Sequence, residues 1–107
     1  MKTLFGATHL IEAAAAPVTG AHFLADAVTR TFQAVIKPAT QGGQATATVI
    51  IEVSNIDDAD TFQELGKLEL NTATGAKSLG FASSAPWRYV RARVTATTGV
   101  VDVVAGV

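Results

Sequence analysis

There is no cysteine in this chain, which excludes disulfides and thiolate metal sites. Charge is scarce and almost balanced. Only 16% of residues are charged and the net charge is −1, without the basic excess of a nucleic-acid binder, so no nucleic-acid partner is expected. Histidine occurs twice, as His9 and His22. A zinc site would need carboxylates for its other ligands, and the two rings are expected at turns or on the surface, not as a dyad. No apolar run reaches the roughly 18 residues of a membrane-spanning helix, so no membrane partner is expected. Neither a Walker loop nor a GxGxxG motif is present, and Ser83 and Ser84 have no nearby base. With no nucleophile–base pair to assemble, neither an enzymatic activity nor a cofactor is expected.

The chain does have apolar material. Hydrophobic residues make up 49% of 107 positions, but many are alanine, so one domain with a thin core is expected over residues 1–107. A small domain of this kind, without disulfides, often draws stability from neighbours. The N-terminal segment carries one Lys and the patch Leu10-Ile11-Glu12-Ala13-Ala14-Ala15-Ala16. Glu12 interrupts that patch and its basic flank is too weak for a secretory signal. An extended N-terminal segment and a protein made and kept in the cytoplasm are expected.

Most of the pattern has a period of two. Residues 85–99 read as one long strand after Pro86, with Val90, Ala92, Val94 and Ala96 on one face and Tyr89, Arg91, Arg93 and Thr95 on the other. Residues 45–54 read as the clearest core strand. Ala45, Ala47, Val49, Ile51 and Val53 line one face; Thr46, Thr48, Ile50, Glu52 and Ser54 line the other. Leu24, Val28, Phe32 and Ile36 recur every four residues, as in a helix, but the β-branched residues among them favour a strand over 29–37. Gly42 and Gly43 then suggest a hairpin, or a Greek-key neighbour pair, with the 45–54 strand. A further strand is expected at 3–5, stopped by Gly6, with 8–13 a second strand or a lead-in and Val18-Thr19-Gly20 a loop. Others are expected at 61–70, with a bulge at Gly66, at 78–81, and at 100–104. In the last, Val100, Asp102 and Val104 share a face opposite Val101 and Val103. Short strands about ten residues apart, punctuated by Gly, Asn or Pro, predict an all-β antiparallel sandwich, jelly-roll or Greek-key like, of about seven or eight strands.

Three groups of residues suggest chemistry. Asp57, Asp58 and Asp60 cluster as hard oxygen ligands do for calcium, yet the sixth-position Gly and twelfth-position Glu of an EF-hand are missing; a solvated turn is expected, and no metal. Trp87 and Tyr89, with Phe81, read either as a sugar-stacking platform or, for Trp87, as a core anchor. Arg88, Arg91 and Arg93 are suited to planar carboxylate recognition, from a partner subunit or from Glu52 and Glu69 across the sheet. Ile50, Val100 and Val104 are apolar residues on the faces turned away from the core, and such surface usually marks an interface. With the three arginines they form the candidate partner interface.

Three stretches resemble small virion proteins of tailed bacteriophages: Thr31-Phe32-Gln33-Ala34; Val49 to Asn55 followed by Phe62 and Leu65-Gly66; and Gly80 to Ala96, which carries Pro86-Trp87-Arg88-Tyr89-Val90-Arg91. In place of the compact Asn-Asp-Gly turn and Trp common in that group, this chain has Asn55 through Asp60 and Phe62. The resemblance implies a non-enzymatic virion protein of the cement or decoration type, made in the host bacterial cytoplasm. It implies binding across junctions of the major capsid protein, and a homodimer or homotrimer is expected alongside. A tail, neck or fibre component and a carbohydrate-binding module using Trp87 and Tyr89 are the alternatives.

Overall fold

A computed structural model describes residues 3–4, 7–24, 30–40 and 42–106. Among them are ten strands: β1 (Thr3–Leu4), β2 (Ala7–Ala14), β3 (Val18–Thr19), β4 (Phe23–Leu24), β5 (Arg30–Pro38), β6 (Thr46–Ser54), β7 (Gln63–Asn71), β8 (Ser78–Ser83), β9 (Tyr89–Thr97) and β10 (Gly99–Gly106). Two single 3₁₀ turns, at Ala59–Thr61 and Thr72–Thr74, flank β7. No described helix is long and apolar enough to cross a membrane. Sheet A has the order β1-β2-β10-β5-β8; sheet B has β3-β9-β6-β7, with β4 also on β9. Every pairing is antiparallel, and the two sheets pack as a sandwich. The expected all-β antiparallel sandwich is present.

The period-two faces meet between the sheets. From sheet B come Ala47, Val49, Ile51, Val53, Leu68, Leu70, Val90, Ala92 and Val94; from sheet A come Phe32, Ala34, Ile36, Val101, Val103 and Ala105. Alternation breaks where the ladders bulge. In β9 the register steps from Thr48↔Ala96 to Val49↔Val94, leaving Thr95 as the extra residue. Ala96, expected in the core, is therefore exposed. In β2 two register shifts place Leu10 and Ile11 both inside, though they are adjacent in sequence. One of these irregularities carries Ala13 at φ 51, with its N–H donated to Asp102 Oδ1 at 2.9 Å. The bulge expected at Gly66 lies beside it. Ile51 pairs with Gly66 and Glu52 with Glu64, so Leu65 is the extra residue. Gly66 makes room for Phe81, because a Cβ there would sit 2.5 Å from the Phe81 ring.

Three expectations are corrected. Val18–Thr19 is a strand on β9, not a loop; its partner lies far along the chain, so no local signal marks it. The 85–99 strand begins only at Tyr89, with Trp87 in the segment before it. The Gly42-Gly43 region does not close a hairpin. β5 belongs to sheet A and β6 to sheet B, so the chain crosses between layers there. Ala45 donates its N–H to Thr72 Oγ1 at 2.9 Å, and Thr72 returns its own N–H to the Ala45 carbonyl at 3.0 Å. These bonds dock the outgoing chain on the β7 side. β1–β2 and β6–β7 are the described chain-consecutive strands that pair with each other, β3 and β4 lie one after the other along β9, and β10 closes the fold between β2 and β5. The strand expected at 29–37 runs from Arg30 to Pro38. Phe5, Gly6, Val28, Thr29 and Gln41 lie outside the described residues.

Candidate functional site

The outer face of sheet B holds the densest polar and aromatic grouping. Strand alternation sends Tyr89, Arg91 and Arg93 outward from β9, and the register sets Arg91 opposite Glu52 and Arg93 opposite Ile50. Arg91 donates its Nε–H to Glu52 Oε1 at 2.8 Å, and Arg93 donates to Oε2 at 3.2 Å. The Glu52 side chain is only 8% exposed and that of Arg91 13%, against 38% for Arg93. One carboxylate thus holds two guanidiniums, leaving a local charge of +1. The Arg91 guanidinium lies 4.3 Å from the Phe62 ring centroid, a stacked cation–π geometry.

His22 closes the same group. Its Nε2 lies 2.5 Å from Asp57 Oδ1, and its ring packs 5.2 Å from Phe62 and edge-on at 5.7 Å to Tyr89. This joins the segment before β4 to the acidic loop after β6. That loop is further ordered by Asp58 Oδ1, which accepts the Asp60 N–H at 3.0 Å and caps the 3₁₀ turn. Thr61 Oγ1 donates to the Asp58 carbonyl at 2.7 Å. Asp57 and Asp58 therefore have internal partners, and among the described residues no group of three acidic, His or Cys side chains is gathered as a metal site would need. Leu24 and Ile56, 60% and 59% exposed, are apolar residues of the neighbouring β4 and acidic loop.

The six residues proposed as one partner interface are divided by the fold. Ile50, Arg91 and Arg93 lie on the outer face of sheet B; Val100 and Val104 lie on the outer face of sheet A, opposite Lys37 and Gln33 of β5. A single flat partner cannot cover both. Arg88 is exposed, with its guanidinium 6.0 Å from the Tyr89 ring centroid and its N–H bonded to Asn55 Oδ1 at 3.1 Å. Arg91 and Arg93 pair with Glu52, the cross-sheet partner considered from sequence; Glu69 instead meets Lys67 at 3.7 Å, on the exposed surface.

Trp87 is half-buried against the core and lines a cavity of about 20 Å³ with Phe32, Val53, Leu65 and Val90. Tyr89 faces outward with His22. The two rings do not form one sugar platform. His9 pairs with Val104 in sheet A, far from the His22 group, so the histidines form no dyad. Ser83 ends β8, where it pairs with Arg30, and its Oγ accepts the Ala85 N–H at 3.2 Å.

Sequence reasoning missed Phe62 and the His22–Asp57 pair, because their contacts join different elements far apart in the chain. Glu52 was one of the partners open to the arginines in the sequence, together with Glu69 and a partner subunit's carboxylates; the register of β6 on β9 selects it.

No family model matches the chain, and no curated protein does. Among solved structures, the SPBc2 prophage-derived protein YomS has a similar fold, with a TM-score of 0.56 at 19% identity, covering 92% of this chain and 88% of that one.

Proposed function

We propose that this chain is a non-enzymatic structural protein of a tailed-phage virion, of the cement or decoration type. In this reading it binds the outside of the capsid across junctions between copies of the major capsid protein. The observation that carries the reading is the fold shared over 92% of the chain with a prophage-derived protein, taken with the three stretches that resemble phage virion proteins.

The sandwich offers means suited to such a role. Its two outer faces point in opposite directions, one with Ile50 and the arginines, the other with Val100 and Val104, so one copy can touch two neighbours. Arg88, which has no carboxylate partner among the described residues, the exposed part of Arg93, and the exposed Lys37 and Lys77 are cations able to meet acidic groups of a shell. Arg91 is consumed internally by Glu52. A protein that binds only the assembled shell stabilises it by mass action, by about 2.7 kcal/mol per site at a hundredfold excess over Kd.

Copy number in purified particles tests the assignment. Hundreds of copies per particle are expected, and shells carrying the protein should survive heating or loss of salt better than shells without it. A handful of copies at one vertex would move the protein to the neck, tail or fibres. Equal survival of both shells would remove the cement role.

A further inference from the structure

We infer that β8 is a strand-pairing edge through which two copies of this chain join, β8 against β8, across a twofold axis at Gly80. The inference stands on the fold alone and does not depend on the virion reading.

The sandwich has four lateral edges among its described strands, and three are protected. β7 is bulged at Leu65 and carries Glu64, Lys67 and Glu69. β1, β3 and β4 are two residues long each, and β2, which β1 covers only at Ala7 and Thr8, is bulged twice and carries Glu12. Short length, bulges and charge are the usual means of keeping a sheet edge from pairing. β8 has none of them. It is six residues, Ser-Leu-Gly-Phe-Ala-Ser, uncharged and without proline, and it pairs with β5 in unbroken register from Arg30↔Ser83 to Val35↔Ser78.

The ladder shows which backbone groups are left over. Ile36 donates its N–H to the Lys77 carbonyl at 3.0 Å. Hydrogen-bonded pairs in an antiparallel ladder recur at every second residue, so Leu79, Phe81 and Ser83 turn their backbone groups towards β5. Ser78, Gly80 and Ala82 turn theirs to the side where no described strand pairs, presenting three N–H and three C=O groups. Their side chains are small and exposed on the outer face, so a neighbouring strand can approach closely.

A second β8 satisfies all six groups. Centred on Gly80, the antiparallel pairs are Gly80 with Gly80 and Ser78 with Ala82 in both directions, each exchanging two hydrogen bonds. Leu79 then faces Phe81 on the core side. An odd offset would set core-facing residues opposite outward ones, and strand pairing does not tolerate that. The product is one continuous sheet of ten strands, five from each copy.

Sedimentation of the full chain over a micromolar to submillimolar dilution series tests this, with two double variants at the exposed positions. The unmodified chain should dimerise. Ser78→Lys/Ala82→Lys sets like charges opposite each other twice and should weaken the dimer roughly 2- to 30-fold, with an unchanged circular dichroism spectrum. Ser78→Glu/Ala82→Lys sets opposite charges in the same places and should restore or tighten it. A chain that stays monomeric throughout, a lysine pair that dimerises as tightly as the original, or a Glu/Lys pair as weak as the lysine pair would each overturn the inference.

Discussion

Replacing Glu52 with alanine removes the one carboxylate that two arginines share, and the cost follows from burial. The bond from Arg91 is short, at 2.8 Å, and both side chains are nearly enclosed, at 13% and 8% exposed. A charged hydrogen bond in such surroundings contributes about 1.5–3 kcal/mol. Arg93 is 38% exposed, so solvent screens its pair and it adds only about 0–1 kcal/mol. Glu52→Ala should therefore destabilise the fold by about 1.5–4 kcal/mol. At about 4 °C per kcal/mol for a domain near this size, the melting temperature should fall by roughly 6–16 °C. Urea unfolding of Glu52→Ala, Arg91→Met and the double variant would isolate the pair as a coupling energy. Glu69→Ala is the control: its contact with Lys67 is exposed, at 3.7 Å, and its loss should stay within about 0.5 kcal/mol. A Glu52→Ala cost below about 1 kcal/mol, or a coupling to Arg91 near zero, would refute the claim that this cluster holds β6 to β9.

Gly66→Ala should cost about 1–3 kcal/mol, because the new methyl would lie 2.5 Å from the Phe81 ring. Adding Phe81→Leu should recover part of that loss, and additive losses in chemical denaturation would contradict the contact. Trp87→Ala should cost about 2–3 kcal/mol, the value of roughly half of a large aromatic surface at about 25 cal/mol per Å²; an unchanged melting temperature together with lost glycan binding would return the residue to a surface role. Ala13→Gly should be neutral or stabilise by up to about 1 kcal/mol, because Ala13 sits at φ 51, where a Cβ is penalised. A clear loss of stability on calorimetry would refute that reading.

Much of the architecture was legible in the sequence because it rests on a local rule. Side chains of a strand alternate between faces, so the apolar phase of 45–54, 90–94 and 101–103 identified the core, and the opposite phase identified Ile50, Glu52, Arg91, Arg93, Val100 and Val104 as outward. Glycine and proline marked the turns for the same reason, since they restrict or free the backbone where they stand. The failures came where the deciding contact is remote. Residues 42–43 permit a hairpin or a crossing equally well, and the ladders of β5 with β8 and β10 and of β6 with β7 and β9 select the crossing. Ala96 follows the core phase by count, but the extra residue at Thr95 turns it outward. Val18–Thr19 becomes a strand only because β9 has a free side to receive it. The candidate interface shows the same division. Sequence alternation determined that each of its residues but Arg88, which precedes β9, points away from the core. Which of the two outer faces each one joins was decided by the tertiary structure alone, because sheet membership depends on pairings between distant segments.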